Sequence, residues 1–559
     1  MRLSLRSPAL AVALCALLLF IYTGYNISPS FAQTNSRHFP ETGHTIQGRF
    51  LEYWEQNGGL AQQGYPISAE MQEVSPIDGK TYTVQYFERA VFELHPEHQP
   101  PYDVLLSLLG TLEYQQKFLE GALGQVPNNS PGSVVFPETG KRLGGKFLEY
   151  WRSHGGLSQQ GYPVSDEFKA ISDLDGKTYT VQYFERAVFE LHPENAGTPY
   201  EVLLSQLGTF RHKARYAARS LSIPVSTGGL SQTNPQGSDR YLVWTESVQL
   251  PSKPSCCRVL ALDITASRAI TVTETGGFRV GPVISGSRVA WAQHDDRCFG
   301  GCLPGGIYVL DLATGEQHRA SDNANIQGVD ISGRTVAWAV STFADGRYSS
   351  QVFTKDLGTG RTSEVASLTG GSVSYVQISP GYIVWHEVST SAGPDQPAGE
   401  SHIWAHDRKS GTTRVVLDYR ASGFRSGGAL EGNYLVWATR DRINVVDLRD
   451  GTTTQVEATE PSYPTMTYNN VLWSTGPIHR SIMGMKLEDP RPTELVRMTL
   501  ENPHPEAPNN QPMVGRFTIA GDWLVWDYRV LPPSGPGIAQ LTAVPLAEAF
   551  SKGSQSSGP

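Results

Sequence analysis

A chain of 559 residues exceeds what one hydrophobic core supports, so its length indicates two to four domains. The net charge of −9 and a pI near 5.9 exclude an electrostatic nucleic-acid binder, because no segment carries the basic stripe that phosphate contacts require. The 56 glycines and 37 prolines favour an architecture rich in turns.

The N-terminus predicts a secretory signal peptide over residues 1–32. Two arginines precede an apolar stretch from Pro8 to Tyr22, and small residues precede Gln33. The alternative is an uncleaved membrane anchor, although the apolar run is short for a spanning helix. Leu14 precedes Cys15 where a lipoprotein signal needs a small residue, so lipidation is not expected. We therefore expect a secreted or cell-surface protein with no membrane span after signal removal.

Four further cysteines predict two disulfides in an exported protein. They are clustered in the sequence, and their pairing stays open: Cys256, Cys257, Cys298 and Cys302. A four-sulfur zinc site is the alternative. The adjacent pair Cys256 and Cys257 lacks the two-residue gap that lets both thiolates face one metal, which favours the disulfides. No cofactor and no metal site is predicted for the chain.

Residues 37–120 and 134–216 are two copies of one sequence at an offset of 97 residues. In the first copy, Phe50, Tyr53 and Trp54 fall at helical spacing before a glycine pair that ends the helix. An Asp-Gly turn then opens an alternating apolar segment typical of a hairpin, and a last helix is expected to begin near Tyr102. Each copy is predicted to be a small α+β module.

The phrases GRFLEYWEQNGGLAQQGYPISAE and DGKTYTVQYFERAVFELHPE resemble the LGFP-type repeat of secreted bacterial proteins. The segment Glu88-Arg89-Ala90 departs from the usual glycine-containing one, and QQGYP stands where LGFP is expected. The resemblance implies attachment to the cell wall, with cell-wall glycan or peptidoglycan as the partner.

Aromatic rings beside a carboxylate and a guanidinium suit sugar binding. The residues predicted to bind glycan are Trp54, Tyr65, Tyr86, Glu88 and Arg89, with Trp151, Tyr162, Tyr183, Glu185 and Arg186 in the second copy. His95 and His192 belong to the same pattern, although a histidine before proline also fits a strand end. The alternative places Trp54 and Trp151 in the core and makes Glu88 and Arg89 a surface pair.

A phrase ending in tryptophan recurs seven times after residue 240. The first four are 47 residues apart and the later gaps are 52, 36 and 53: Trp244, Trp291, Trp338, Trp385, Trp437, Trp473 and Trp526. A period in the forties with glycine-containing turns is typical of a radially repeated four-stranded sheet. We predict a seven-bladed β-propeller over residues 221–550 with residues 221–226 as the closing strand, tryptophans packed between blades, and a flexible tail at 551–559.

The phrases IYVLDLATGE and INVVDLRDG resemble the TolB-type, or WD40-like, propeller of bacterial envelope proteins. The predicted fold class is therefore multidomain, with duplicated small α+β repeat modules and an all-β seven-bladed β-propeller. This resemblance is specific for fold and carries little about activity, because propellers host many functions.

The long joins between second and third strands predict a binding face for a ligand or an envelope or secreted protein partner. The predicted residues there are His294, Asp295, Asp296, His386, Glu387, Arg440 and Asp527, with Asp441, His479 and Arg480 beside them. The His-Asp-Asp run also fits divalent-ion binding or acid–base chemistry, and its alternative is an ordinary loop surface.

No nucleophile elbow, zinc-protease helix or phosphate-binding loop occurs in the sequence. About a dozen residues follow the last predicted blade, which leaves no room for the α/β-hydrolase domain of prolyl-oligopeptidase-like enzymes. We expect a non-catalytic exported protein whose repeats bind the wall and whose propeller is an interaction platform. The alternative is a propeller-based polysaccharide hydrolase or lyase that the repeats target to its substrate.

Overall fold

The computed structural model describes residues 35–75, 78–216, 221, 223–224, 231–250, 253–294, 305–323, 325–389, 401–418, 426–467, 469–475, 481–497, 513–530 and 538–555. The described chain is mostly β-strand with few helices, and its contacts divide it between Leu106 and Ser107 into an N-terminal and a C-terminal unit. Of the helices in these ranges, none combines the length and apolarity that a membrane span requires.

The N-terminal unit packs two short helices on a four-stranded antiparallel sheet. Its elements are the hairpin Ser36–Phe39 and His44–Gln47, the helices Gly48–Gln56 and Gly59–Gln63, and the strands Met71–Val74, Thr81–Tyr86, Val91–Leu94 and Val104–Leu106. The first helix buries Phe50, Tyr53 and Trp54 as its spacing predicts. Gly58, at φ +85°, takes the left-handed conformation that follows the helix end.

The segment expected to begin a helix near Tyr102 is a strand instead. Val104 and Leu106 are buried while Leu105 is exposed, and this alternation pairs the strand with Val91–Leu94. The helix begins five residues later, at Leu109. Three consecutive apolar residues, Val104 to Leu106, fit a helical pattern as well as a strand with a period of two, so the sequence does not separate the two.

The second copy has the same elements and lies in the C-terminal unit. They are the hairpin Val134–Phe136 and Lys141–Leu143, the helices Gly145–Ser153 and Gly156–Gln160, the strands Phe168–Ile171, Thr178–Tyr183, Val188–Leu191 and Val202–Leu204, the 3₁₀ turn Pro193–Asn195, and the helix Leu207–Tyr216. The helix Leu109–Lys117 also belongs to this unit, although its sequence ends the first repeat. Its Tyr114 contacts the ring of Tyr183 at 5.2 Å between centroids.

Seven antiparallel sheets follow in the described part of the C-terminal unit, numbered here in chain order. Sheets 1 and 2 share one long strand: sheet 1 has Ser231–Gly237, Tyr241–Leu250, Lys253–Asp263 and the first half of Arg268–Ser285, and sheet 2 has the second half of that strand, Arg288–His294, Gly306–Asp311 and Gln317–Ser321. Sheet 3 has Ile326–Ser332, Thr335–Ala344, Arg347–Asp356 and Thr362–Thr369; sheet 4 has Gly371–Ile378, Tyr382–Ser389, Ser401–Asp407 and Thr413–Asp418; and sheet 5 has Ser426–Glu431, Tyr434–Ala438, Arg442–Asp447 and Thr453–Glu457. Sheet 6 has Ser462–Thr467, Asn470–Thr475, Ser481–Lys486 and Asp489–Arg497, and sheet 7 has Met513–Ala520, Trp523–Val530 and Ile538–Pro545.

Each recurring tryptophan is buried against the preceding sheet, which confirms the prediction that these rings are packing residues. Trp338 of sheet 3, for example, shares a cluster with Ala290 and Ile307 of sheet 2. Trp244 of sheet 1 packs with Val525 and Leu541 of sheet 7. The first and last sheets therefore meet, and the arrangement of four-stranded sheets fits a β-propeller.

Sheet 7 has three strands among the described residues, and no fourth strand is formed by 221, 223 or 224, the described part of the segment predicted to close it. Leu221 and Ile223 instead pack their side chains against the cluster between sheets 1 and 7. The carbonyl of Pro224 accepts a hydrogen bond from Gln232 Nε2 at 2.8 Å. Apolar burial, and not a strand ladder, holds this segment to the ring. The helix Leu546–Gln555 follows sheet 7 where a flexible tail was expected from residue 551.

Candidate carboxylate site

The turns between the first and second strands of neighbouring sheets are joined by hydrogen bonds at one end of the ring. Ser238 Oγ donates to the carbonyl of Gly286 at 2.8 Å, and the amide of Gly333 donates to Ser285 Oγ at 3.0 Å. Ser379 Oγ donates to the carbonyl of Gly432 at 2.6 Å. Small residues before a glycine turn thus fix the relative positions of the sheets at this end.

Four carboxyl groups lie at this turn end. Asp330 and Glu431 are near the ends of the first strands of sheets 3 and 5, and Asp239 and Asp522 lie in the turns of sheets 1 and 7. The first strands of sheets 3 and 5 contact the first strands of their neighbouring sheets, so Asp330 and Glu431 lie on inner strands of the ring. The repeated architecture brings together residues that are up to 283 positions apart in the sequence.

Burial raises the pKa of both central carboxyls. The pKa of Asp330 rises to about 7, although the amides of Ile378 and Ile331 donate to it at 2.8 and 2.9 Å. The pKa of Glu431 also rises to about 7, through burial first and then through the charge of Asp239. At neutral pH both carboxyls are therefore divided between the protonated and ionised forms, which is the condition for proton transfer.

The carboxyls influence one another in a series. Burial and then the charge of Asp522 raise the pKa of Asp239, Asp239 acts on Glu431, and Glu431 acts on Asp330. Asp239 keeps an exposed surface although its surroundings desolvate the carboxyl, Asp522 is exposed, and Asp330 and Glu431 are half-buried. A proton donor and an ionised base can therefore coexist at this end of the ring.

A cavity of about 560 Å³ lies beside Asp239 and Asp522 within the C-terminal unit. The helices Leu109–Lys117 and Leu207–Tyr216 form one wall, and the turns of sheets 1 and 7 form the other. Its lining combines the apolar Leu112, Phe210, Leu262, Ile264 and Trp523 with the charged Glu113, Arg211, Lys213, Asp239 and Asp522. Its volume and its mixture of apolar and charged groups are typical of small-ligand sites.

Several of the predicted glycan-binding residues are in the cores of the repeats. Trp54, Tyr86 and Tyr183 are buried, and Trp54 Nε1 donates to the carbonyl of Gly64 at 3.0 Å. Trp151 is half-buried and makes the equivalent bond to Gly161 at 3.1 Å. These indoles therefore use their polar edge inside their own module.

The acidic and basic members of the predicted set hold local turns. Glu88 accepts from the amide of Tyr65 at 3.1 Å, and Arg89 donates to the carbonyl of Leu60 at 3.1 Å. Glu185 and Arg186 repeat both bonds, to Tyr162 and Leu157, at 3.1 and 3.2 Å. The rings of Tyr65 and Tyr162 are half-buried.

Two tyrosines that the sequence analysis did not nominate present more surface. Tyr102 is 69% exposed and Tyr200 is 65% exposed, at corresponding places in the two copies. The signal in the sequence is the phrase PYDVLLS, which returns as PYEVLLS. Its apolar residues predict the start of a helix, and that prediction does not mark the tyrosine as a surface residue.

Two of the predicted residues of the long-join face are described on sheet 4. Ser374 Oγ lies 2.6 Å from Nδ1 of His386, and Glu387 accepts from Trp404 Nε1 at 2.7 Å. Burial lowers the pKa of His386 to about 4. So weak a base activates a serine poorly, and the Ser374–His386 contact supports packing better than nucleophilic catalysis.

The remaining predicted residues of that face are dispersed or undescribed. Arg440 is exposed, and Asp527 is fully buried beside Gly515. Asp295, Asp296, Cys298, Cys302, His479 and Arg480 lie outside the described residues, as do the side chains of His294, Cys256 and Cys257. Asp330 and Glu431 are not among the predicted residues, because the long joins in which binding was predicted lie at the other end of the strands.

No family model and no curated protein matches this chain. Among solved structures it is similar to the acylaminoacyl peptidase of Pyrococcus horikoshii, with TM-score 0.41, 11% identity, and coverage of 58% of this chain and 54% of the peptidase. The β-propeller domain of the trilobed protease of Pyrococcus furiosus gives TM-score 0.40 and 10% identity, covering 57% of this chain and 97% of that domain. TolB from Acinetobacter baumannii gives TM-score 0.29 and 12% identity, with coverage of 54% and 82%. The chain spans about half the length of the acylaminoacyl peptidase that it matches.

The expectation of a non-catalytic interaction platform is contradicted by these matches and is withdrawn. Prolyl endopeptidases, a puromycin hydrolase and an oligogalacturonate lyase are also among the similar structures. At 10–13% identity they concern the fold alone, and the chemistry of this chain has to come from its own residues. In fold, the chain is mostly β and similar to β-propeller proteins that include TolB.

Proposed function

We propose that this protein is an acid–base enzyme, a polysaccharide hydrolase or lyase, whose reacting carboxyls lie at the turn end of a seven-bladed propeller. One observation carries the proposal: Asp330 and Glu431 lie on inner strands near the turn end of the ring, and burial raises the pKa of both to about 7. A carboxyl that remains partly protonated at neutral pH is what protonation of a glycosidic oxygen requires.

In the hydrolytic form of the reaction, a protonated carboxyl, Glu431 or Asp330, donates its proton to the oxygen of the leaving sugar as the C–O bond breaks. A water molecule attacks the sugar carbon and loses its proton to an ionised carboxylate, for which Asp239 is the candidate because solvent reaches it. Bond formation and proton transfer balance without a cofactor.

In the lyase form, an ionised carboxylate removes the proton next to a uronate carboxyl, and the protonated group supplies the proton to the leaving oxygen. The cavity beside Asp239 offers a sugar-binding surface next to this candidate base, since Trp523 and Phe210 line it and provide an apolar surface on which a sugar ring can stack. Arg211 and Lys213 in its wall favour a polysaccharide that carries carboxylates.

The N-terminal repeats are proposed to keep this enzyme on its polymer. Their sequence resembles the LGFP-type repeat, and Tyr102 and Tyr200 offer one exposed ring in each copy. In this proposal the protein is exported and held at the cell wall by duplicated α+β modules, and its two cysteine pairs are oxidised.

The test uses the full chain with purified peptidoglycan and a panel of neutral and uronate-containing polysaccharides. Release of reducing ends reports hydrolysis, and the ultraviolet absorbance of unsaturated sugar ends reports elimination. Asp330→Asn and Glu431→Gln are each expected to lower the rate by about 100-fold or more. Asp322→Asn is the control, because its exposed carboxyl lies outside the site, and its rate should equal that of the wild type.

Two results would overturn the proposal. One is the absence of cleavage of every polymer in the panel by the folded full chain. The other is cleavage at the wild-type rate by both carboxyl variants, with circular dichroism confirming that they fold.

A further inference from the structure

A group of metal-type ligands lies outside the carboxylate site, at the end of the strand Val91–Leu94 of the N-terminal unit. His95, Glu97 and His98 each offer one ligand atom, and these three atoms lie within 4.8 Å of one another. The amide of His98 donates to the carbonyl of His95 at 3.0 Å, so a tight turn fixes their spacing. Two imidazoles and one carboxylate are ligands that Zn²⁺ and related ions accept.

The distances suit coordination after one small movement. His95 Nδ1 and Glu97 Oε1 are 3.0 Å apart, close to the separation of two atoms that share a metal at about 2.1 Å. The His95 ring is buried and therefore fixed, whereas His98 is exposed. His98 completes a set of three ligand atoms that lie within 4.8 Å of one another, and rotation of its exposed side chain can bring the three closer together around one ion.

A second layer of side chains orients the ligands. Tyr82 OH donates to Glu97 Oε1 at 3.2 Å and to Asp78 at 2.8 Å, and its ring lies 4.0 Å from the ring of His95. Glu93 Oε2 lies 3.7 Å from Nε2, the other nitrogen of His95. A carboxylate behind a ligating histidine and a hydrogen bond on a ligating carboxylate are the outer-shell partners that metal sites employ.

The second copy provides an internal comparison. His192 Nδ1 and Glu194 Oε1 are 2.9 Å apart, and Tyr179 and Glu190 take the places of Tyr82 and Glu93. Asn195 stands where His98 stands in the first copy. An amide side chain is a poor ligand for this class of ion, so the duplication retains two of the ligands and loses the third.

We propose that the N-terminal unit binds one divalent transition-metal ion of the Zn²⁺ class through His95, Glu97 and His98. Three protein ligands on an exposed turn leave at least one coordination position open to water or to a donor group of another molecule. The proposal is independent of the activity assigned to the propeller.

The test is calorimetric titration of the full, untagged chain with Zn²⁺. One site is expected in the wild type. His98→Asn, which copies the second repeat, should weaken binding at this site by more than about 100-fold. Asn195→His, which copies the first repeat, should add a second site.

His38→Asn is the matched control, because His38 is an exposed histidine of the same unit that bonds only to Thr45 among the contacts described. It should leave the stoichiometry at one. The proposal is overturned if the wild type shows no site, if His98→Asn binds as the wild type does, or if Asn195→His adds none.

Discussion

At the residue scale, Arg240 is a buried cation that pairs with three carboxylates. Its guanidinium is buried, contacts Glu113, and lies 2.6 Å from Asp173 and 2.8 Å from Asp263. Lys117 bonds the same Asp173 at 2.5 Å. These ion pairs join sheet 1 to the second repeat and its neighbouring helix, and the side chains of Asp173 and Asp263 are almost fully buried.

Replacing Arg240 by methionine leaves these carboxylates buried without their cation. We expect Arg240→Met to lower the free energy of unfolding by about 3–5 kcal/mol. The urea midpoint of the full chain measures it. Arg449→Met is the control, because Arg449 is exposed and solvent screens its pair with Asp447 at 2.5 Å, so its loss should move the midpoint little. Equal midpoints for the two variants would contradict the assignment.

The raised pKa values of Asp330 and Glu431 predict a pH dependence of stability. Each carboxyl has a folded pKa of about 7, above its usual value, so the folded protein binds more protons than the unfolded chain between about pH 4 and 7. This contribution to stability is complete at low pH and is lost as the pH rises through 7. Asp330→Asn and Glu431→Gln remove it.

The melting temperature of each variant relative to the wild type should therefore be higher at about pH 8 than at about pH 5. Differential scanning fluorimetry at the two pH values makes the comparison. The melting temperature of the control variant Asp322→Asn should differ from that of the wild type by the same amount at both pH values. If the difference in melting temperature between Asp330→Asn or Glu431→Gln and the wild type is the same at both pH values, these carboxyls have ordinary pKa values.

At the element scale, the helix Leu109–Lys117 shows how packing overrides propensity. Gly110 is buried in it, and a Cβ there would lie 2.0 Å from the carbonyl oxygen of Phe184. The amide of Thr111 donates to the carbonyl of Glu185 at 3.1 Å on the same side. The helix backbone therefore rests directly on the second repeat, which only glycine permits.

Gly110→Ala would gain about 1 kcal/mol in an isolated helix. Here we expect it to destabilise the chain by about 1–3 kcal/mol, because the methyl group pushes the helix off its neighbour. Thermal unfolding measures the change. Gln115→Ala, on the exposed side of the same helix, should stay within about 0.5 kcal/mol. A stabilised Gly110→Ala variant would disprove the close contact.

At the scale of the whole molecule, the two exposed tyrosines of the repeats are predicted to contact the cell-wall polymer. We expect the double variant Tyr102→Ala, Tyr200→Ala to lose most of its cosedimentation with purified peptidoglycan, because these rings are the proposed stacking surfaces for sugars. The rings are 69% and 65% exposed, so their removal should cost few contacts within the protein. Phe343→Ala removes a ring of similar exposure, 63%, from sheet 3 and should sediment as the wild type does. Undiminished binding of the double variant would remove these rings from the proposed wall contact.

Much of the fold could be predicted from particular residues. The recurring tryptophans mark the second strand of each of the seven sheets, and the offset of 97 residues marks two copies of the same elements. These signals are local, because the spacing of apolar residues within one strand or one helix depends only on the period of that element. The strand Val104–Leu106 was missed since three apolar residues are too few to separate a period of two from one of 3.6.

The candidate site is different in kind. Nothing near Asp330 in the sequence distinguishes it from Asp322 or Asp345, which lie within fifteen residues of it. Burial and, to a smaller extent, the charge of Glu431, a hundred residues further along the chain, raise its pKa. The sequence by itself determined the repeating elements and the surfaces that pack between them. The tertiary structure alone decided which carboxyls have a raised pKa, because desolvation and charge act through space and not along the chain.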